Sequence, residues 1–173
     1  NTVTGATASA VLVSEAGGAP GTFEGYVRNN VIGNAVANSC SSTAHGIELA
    51  NDTGSGTLVA VVSGNTVQQC AAQGILAVCG DGAAAIHATV TSNSVSGLAN
   101  ATSGYAFQAN LGITSADTGS FCLAVANNAF ASAGTLPDLR IRHRFAPLRI
   151  PGYAGGATDT AAVASYVDGL NPA

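Results

Sequence analysis

The chain has 173 residues, a formal net charge of −4 and charged side chains at only 8% of its positions. Its hydrophobic fraction of 47% is too high for an intrinsically disordered protein, and its length suits a single domain. Five Arg and no Lys argue against general nucleic-acid binding, and no apolar run is long enough to predict a membrane span.

A short pattern in which Asn precedes Val or Phe by two residues recurs five times. Its copies begin at Asn1, Asn29, Asn65, Asn93 and Asn128. Apolar segments precede the last four copies and align without gaps, at residues 22–28, 58–64, 86–92 and 121–127. Alternate positions in these segments are mostly apolar, which predicts β-strands with one face in a core. The residues predicted to face inward are Thr22, Glu24, Tyr26, Leu58, Ala60, Val62, Ile86, Ala88, Val90, Phe121, Leu123 and Val125.

A second predicted strand follows the Asn copies and opens with Gly, at Gly46, Gly74 and Gly104. In each repeat a turn comes next, and the three turns contain Asp52, Asp81 and Asp117. Gly and Asp are common in these turns because they tolerate tight backbone conformations. Repeats of about 30 residues built from short strands and turns are typical of a solenoid in which each repeat forms one coil. We therefore predict an all-β fold, a right-handed parallel β-helix with coils in residues 1–135.

The repeated Asn is expected to occupy one corner of every coil. Neighbouring coils in a β-helix lie about 4.8 Å apart, so an Asn at a repeated corner can hydrogen-bond along the stack. The corner residues predicted in this way are Asn29, Asn65, Asn93 and Asn128. The residues predicted to lie inside, two places after the last three of them, are Val67, Val95 and Phe130.

The repeat pattern ends after Gly134, and residues 136–173 are predicted to cover the last coil within the same structural domain. Residues 136–145 alternate apolar and basic side chains, which predicts an edge strand. A loop rich in Pro and Gly follows. Residues 158–168 then predict a short capping helix, with an Asp or Thr at its start and Gly169 at its end.

Four cysteines allow three complete pairings. Cys40 and Cys70 precede the aligned Gly46 and Gly74 by similar distances, so adjacent coils would present them within reach of a disulfide. A second bridge between Cys79 and Cys122 follows only by elimination. Such bridges would indicate an oxidising compartment. No Cys or His spacing typical of a zinc site is present.

No convergent set of catalytic, cofactor-binding or metal-binding residues is predicted. Asp52, Asp81 and Asp117 could stack into a calcium-binding row, although turn formation explains them as well. Glu24 and Glu48 belong to different strands, so nothing pairs them for glycoside hydrolysis. The three histidines are expected at corners or on the surface and are His45, His87 and His143.

Charge is distributed unevenly along the chain. Residues 1–139 contain one Arg and seven acidic residues, whereas residues 140–173 contain four Arg and two Asp. The arginines could simply keep an edge strand soluble, or they could form a contact surface for an acidic partner. Under the second hypothesis the assembly interface comprises Arg140, Arg142, Arg144 and Arg149 on one chain, and Glu15 and Glu24 on an identical neighbour.

The repeats with Gly-Ile and Asn-x-Val, together with residues 148–163, resemble the right-handed parallel β-helix repeats of large secreted or surface-displayed bacterial proteins. The resemblance implies extracellular placement and an adhesive, scaffolding or filamentous role, and it transfers no catalytic residue. We expect end-to-end self-association, or continuation of a longer chain, to cover the first coil. The alternative function is a polysaccharide-binding or pectate-lyase-like β-helix, which would need exposed aromatic side chains; Tyr153 and Tyr166 are candidates.

Overall fold

The computed structural model describes residues 1–15, 20–52, 54–80, 82–112 and 118–143. In these ranges the chain forms fourteen β-strands and no helix. The strands are β1 (Thr2–Val3), β2 (Val11–Glu15), β3 (Thr22–Arg28), β4 (Val31–Ile32), β5 (Ile47–Asn51), β6 (Thr57–Ser63), β7 (Thr66–Gln68), β8 (Ile75–Cys79), β9 (Ala85–Thr91), β10 (Ser94–Ser96), β11 (Phe107–Leu111), β12 (Ser120–Ala126), β13 (Ala129–Phe130) and β14 (Leu139–His143).

Successive strands visit three parallel sheets in turn. The first sheet has the order β1-β4-β7-β10-β13, the second β14-β11-β8-β5-β2, and the third β12-β9-β6-β3. Each strand inside a sheet therefore pairs with the equivalent strand of the coil before and of the coil after it, and each edge strand pairs with one of them. This arrangement is a parallel β-solenoid of about four turns, which confirms the predicted all-β parallel β-helix.

The core is a column of alternate side chains from each strand, stacked coil upon coil. In β6 and β9 the inward residues are buried and the outward residues are more exposed, as the alternation predicts. Leu58 pairs in register with Ile86, and Val62 with Val90, and none of these four residues has exposed surface. Val67 and Val95 are also buried, and Phe130 packs against the core, as predicted.

The first complete coil differs from the prediction by one residue. Val31 rather than Asn30 pairs with Thr66, so Asn30 is the counterpart of Asn65, and Asn29 precedes that corner. Because strand side chains alternate, a slip of one residue exchanges the two faces of the strand. The inward residues of β3 are consequently Phe23, Gly25 and Val27, whereas the predicted Thr22, Glu24 and Tyr26 face outward and are exposed.

Glycine at two corners is required by close approach of neighbouring coils. A Cβ on Gly46 would lie 2.4 Å from Val67 Cγ1, and one on Gly74 would lie 2.2 Å from Val95 Cγ1. Gly104, which was aligned with them, lies two residues before the equivalent position, which Ala106 occupies. A shift of two residues leaves the same side chains of the strand facing inward, so Phe107 still points into the core, as predicted.

The predicted edge strand is present at the end of the described chain. β14 pairs in parallel with β11 and is the outermost strand of the second sheet. Leu139 and Ile141 pack against the core, and Arg140 and Arg142 lie on the outer face. The predicted loop and capping helix lie outside the described residues.

Candidate functional site

An asparagine ladder runs along one corner of the solenoid. The backbone N–H and the Nδ2 amide of Asn30 both donate to Oδ1 of Asn65, at 3.0 Å each. Asn65 donates in the same way to Asn93, and Asn93 to Asn128. The Nδ2 amide of Asn1 donates to Asn30 Oδ1 at 3.2 Å. Asn65, Asn93 and Asn128 thus hydrogen-bond along the stack, whereas Asn30 replaces the predicted Asn29.

Asn29 has a different local role at the same corner. The residue before each ladder Asn adopts a left-handed backbone conformation, with φ of 54° at Asn29, 65° at Gly64, 57° at Ser92 and 56° at Asn127. Asn tolerates this conformation better than most residues with a side chain. Asn29 is therefore the left-handed turn residue and Asn30 is the ladder residue. Because both are Asn, the sequence pattern aligned Asn29 with Asn65 instead of Asn30.

One disulfide joins two neighbouring coils. Cys40 and Cys70 are bonded, with Cα atoms 4.8 Å apart and a sequence separation of 30 residues. The second predicted bridge is wrong, because Cys79 and Cys122 remain thiols. Cys79 lies on an inward position of β8 and is buried, whereas Cys122 lies on an outward position of β12 and is exposed. Strand alternation on two different sheets points them away from each other.

A cluster of polar side chains lies on and beside the outer face of the second sheet and crosses all five of its strands or their leading turns. We call it the outer polar cluster. Its members are Ser9, His45, Glu48, Gln73, Tyr105, Gln108, Asn110, Arg140 and Arg142.

The amides of the outer polar cluster are oriented by an arginine. Arg142 Nε, which can only donate, bonds Asn110 Oδ1 at 2.7 Å, and Gln108 Nε2 donates to the same oxygen at 2.8 Å. Gln108 Oε1 then accepts from Gln73 Nε2 at 2.6 Å. Because each amide has one accepting and one donating end, this chain leaves the Oε1 of Gln73 at its far end.

That far end adjoins His45 and Glu48. The backbone N–H of Gly46 donates to the Gln73 carbonyl oxygen at 3.1 Å, so His45 and Gln73 lie side by side in adjacent coils. Ser9 Oγ donates to Glu48 Oε2. His45 Nδ1 and Gln73 Oε1 are both buried, and the Gln73 side chain forms a hydrogen bond with the His45 imidazole. Burial lowers the pKa of His45, and the Glu48 carboxylate and the Gln73 side chain oppose that shift without reversing it.

At the other end of the cluster, Arg140 is held by an aromatic side chain. Its Nη1 donates to the Tyr105 hydroxyl at 2.7 Å, and its guanidinium carbon lies 4.9 Å from the centre of the Tyr105 ring. Tyr105 is 7% exposed, so the interaction is partly shielded from water. Arg28 lies over Tyr26 in a similar way, at 4.8 Å, on the exposed face of the first coil.

The residues of the hypothetical assembly interface lie apart within one chain. Arg140 and Arg142 are half-buried on β14, whereas Glu15 is half-buried in β2, the opposite edge strand of the same sheet. Glu24 is exposed on the third sheet and accepts a hydrogen bond from the Tyr26 hydroxyl at 2.9 Å, which helps to raise the pKa of that phenol. Arg144 and Arg149 lie outside the described residues.

The other candidates for chemistry remain dispersed. Asp81 and Asp117 lie outside the described residues, so the predicted aspartate row is not described beyond Asp52. In the described ranges no group of three or more His, Cys, Asp and Glu side chains could hold a metal ion. Glu24 and Glu48 lie on different sheets, and His87 is exposed on the outward face of β9.

Comparison with known proteins yields no relative. No protein-family model matches the chain, and no curated protein or solved structure is significantly similar to it. Over the described part of the chain, no helix has the length and apolarity needed to cross a membrane.

Sequence reasoning missed the outer polar cluster. A signal was present, because the residue before the corner glycine is polar in two successive repeats, His45 and Gln73. The cluster becomes visible only when coils of different length are stacked, since its members come from five separate strands or turns. Repeat alignment by itself places the histidines in separate coils and does not relate them to the glutamines.

Proposed function

We propose that this chain is an extracellular structural module, a subunit or segment of a surface filament, adhesin stalk or matrix. The observation that carries the proposal is the asparagine ladder, which runs without interruption from Asn1 to Asn128. Together with three in-register parallel sheets, this repeated Asn joins each coil to the next. A stack of this kind is stiff along its axis and suits a spacer or fibre element.

End-to-end assembly is the second part of the proposal. β1, β2 and β3 are edge strands in the described chain, and their outer backbone groups can accept another coil. Among the described residues, the most exposed large apolar side chains lie in the first two coils and include Phe23 at 46%, Tyr26 at 59% and Val31 at 42%. Phe23 faces the interior of the column, so a coil stacked on β3 would cover it.

The disulfide supports the extracellular part of the proposal. Disulfides persist in oxidising compartments and are rare in the cytosol. Cys40 and Cys70 are fully buried and link two coils. Cys40 lies in residues 33–46, between β4 and β5, which is the longest connection between the described strands. A bridge there restrains the least regular part of the repeat.

The assembly can be tested by light scattering coupled to size exclusion, over a wide range of concentrations, with negative-stain electron microscopy of the concentrated chain. We expect multimers that lengthen with concentration. The variant Phe23→Glu should block growth, because it places a charge on the apolar surface that the next coil would cover. Thr89→Glu, on the exposed face of β9 away from either end, is the matched control and should assemble normally.

A monomer at every concentration, with no filaments, would contradict end-to-end assembly. Charge reversal of Arg140, Arg142 and Arg144 to Glu tests whether the basic edge strand takes part in the contact between chains. If growth stops, the basic edge contributes to the contact; if growth is unchanged, backbone pairing and apolar burial are sufficient.

A further inference from the structure

We infer that a second copy of this chain continues the asparagine ladder, with Asn1 of that copy placed directly after Asn128 of the first. In the same contact, β1 and β2 of the second copy pair in parallel with β13 and β14 of the first. The inference rests on the proposed end-to-end assembly and specifies its partner, its polarity and its register.

The first argument is the polarity of the ladder. From Asn30 onward, the backbone N–H and the Nδ2 amide of each Asn donate to the Oδ1 of the next, as from Asn93 to Asn128 at 2.9 and 3.0 Å. Among the described residues, Asn128 Nδ2 donates only to the Val90 and Ala126 carbonyl oxygens, at 2.8 and 3.0 Å, and the Asn128 backbone N–H bonds no acceptor. The ladder therefore ends with open donor groups at Asn128.

The opposite end of the described ladder presents the matching acceptor. Asn1 Nδ2 donates to Asn30 Oδ1, whereas no donor within the described ranges bonds Asn1 Oδ1. Asn1 of a second copy, one coil beyond Asn128, would accept from both the backbone N–H and the Nδ2 amide of Asn128. The Asn1 carbonyl oxygen accepts from the backbone N–H of Val31 at 2.8 Å. By the same geometry, the Asn128 carbonyl oxygen would accept from the backbone N–H of Thr2 in the second copy.

The second argument is that the apolar edges of the two ends match in register. In the second sheet, the column of paired residues that begins at Val11 ends at Leu139, and the column that begins at Val13 ends at Ile141. All four side chains are partly buried and pack against the core. Continuation of the same pairing would stack each valine of the second copy on the last residue of its own column. Burial of apolar surface on both sides would stabilise the contact.

The third argument is that the charges of the two ends are complementary. At one end, Arg140 and Arg142 lie on the outer face of β14. At the other end, residues 1–51 contain three Glu and one Arg. Opposite charges favour contact between unlike ends, and like charges disfavour contact between identical ends. The contact is therefore heterologous, and a heterologous contact that does not close into a ring gives a filament instead of a dimer.

The register also fixes the repeat of the filament. Each chain contributes five strands to the first sheet and five to the second. With paired strands about 4.8 Å apart, the axial repeat should be about 24 Å per chain. In the third sheet, the position between β12 of one copy and β3 of the next follows His143 in the chain and lies outside the described residues.

The test is a disulfide across the junction, in a Cys122→Ser background that removes the exposed native thiol. Continuation of the first sheet places Ala129 beside Thr2 of the second copy, and both residues are exposed. The native bridge shows that adjacent coils bring Cα atoms to 4.8 Å, a separation that suits a disulfide. The double variant Thr2→Cys/Ala129→Cys should therefore form covalent multimers on oxidation, with position 2 linked to position 129 in peptide maps.

Two controls distinguish this register from chance contact. The matched pair Thr2→Cys/Ala131→Cys should link poorly, because the exposed Ala131 lies two residues further along and its Cα would be about 8 Å from that of Thr2, beyond the reach of a disulfide. Asn1→Ala removes the acceptor for Asn128 and should raise the concentration needed for assembly about fivefold or more. Thr89→Ala, on the exposed face of β9, should leave that concentration unaltered.

The inference is overturned if positions 2 and 131 link as readily as positions 2 and 129. Linkage of position 2 to position 2 of another chain also overturns it, because two identical ends would then meet. Filaments that grow without linkage between positions 2 and 129 would refute this register and leave the proposed end-to-end assembly standing, whereas a monomer at every concentration contradicts both. Linkage of positions 2 and 129, with an axial repeat of about 24 Å in averaged electron micrographs, supports both.

Discussion

Asn65 donates its backbone N–H and its Nδ2 amide to a single oxygen, Oδ1 of Asn93, at 3.0 and 2.9 Å. Both residues are almost fully buried, at 1% exposure each. The Asn93 Nδ2 amide also bonds the Val62 carbonyl oxygen at 2.9 Å. The pair therefore satisfies buried backbone and side-chain groups of two coils together, and its disruption affects both.

Replacement of Asn93 by Ala should destabilise the protein by about 2–4 kcal/mol, because it removes the acceptor of the buried Asn65 backbone N–H and the donor that bonds the Val62 carbonyl oxygen. Urea unfolding followed by circular dichroism measures the change. Asn1→Ala is the control at the exposed end of the ladder, where one hydrogen bond is lost, and should cost less than about 1 kcal/mol. Equal effects of the two variants would mean that the ladder contributes little.

Replacement of Val90 by Asp should cost several kcal/mol and can prevent folding, because it places a charge in the apolar column at a site with no exposed surface. Thr89→Asp changes the neighbouring, exposed residue of β9 and should be tolerated. Thermal unfolding and the yield of folded protein distinguish the two variants. Similar stability for both would show that the register of β9 is wrong.

Removal of the bridge by Cys40→Ala and Cys70→Ala together should lower the free energy of unfolding by about 3 kcal/mol, as expected for a closed loop of this size. Peptide mapping without reductant checks the pairing directly. It should recover one linked peptide pair, with Cys79 and Cys122 alkylated as thiols after unfolding. A linked Cys79–Cys122 peptide would contradict the structure.

The imidazole of His45 should titrate below the usual histidine value of about 6.5, because burial lowers its pKa. NMR titration of the chain measures this pKa. The His45 resonance is assigned by its absence in the spectrum of His45→Gln. Glu48→Gln should lower the pKa further, since the carboxylate opposes the shift. A value above 6.5 in the parent chain would contradict the burial of His45.

The same shift predicts how stability depends on pH. The unfolded chain binds a proton at His45 near pH 6.5, whereas the folded chain binds it only at lower pH. The contribution of His45 is therefore fully present above about pH 6.5 and is lost as the pH falls toward the folded-state pKa. Comparison of thermal midpoints of the parent and His45→Gln across this window should show a smaller pH dependence in the variant.

The sequence contained most of the information for the fold. Side chains alternate strictly at 58–62, 86–90 and 121–125, and these segments align without gaps, so strand period and repeat length both indicated stacked coils. Cys40 and Cys70 were paired correctly because both precede a corner glycine that the repeat places in adjacent coils. Local alternation and fixed spacing are readable without knowledge of the tertiary structure.

The register of the first coil was not readable in this way. Asn29 and Asn30 each fit the repeat pattern within one residue, and Glu24 or Gly25 could equally have faced the core by sequence. Stacking decided between them, since the hydrogen bonds from Asn30 to Asn65 and the pairing of Val27 with Val62 form in one register only. The choice depends on contacts between residues 35 positions apart.

The sequence by itself thus determined that the chain winds into stacked parallel coils, because alternation, corner residues and repeat spacing are local properties. Only the tertiary structure decided which side chains meet on the outer face of the second sheet. Connections between strands differ in length from coil to coil, so a position in the sequence does not give a position on the stack. His45, Gln73 and Gln108 become neighbours only after backbone hydrogen bonds have fixed the coils in register.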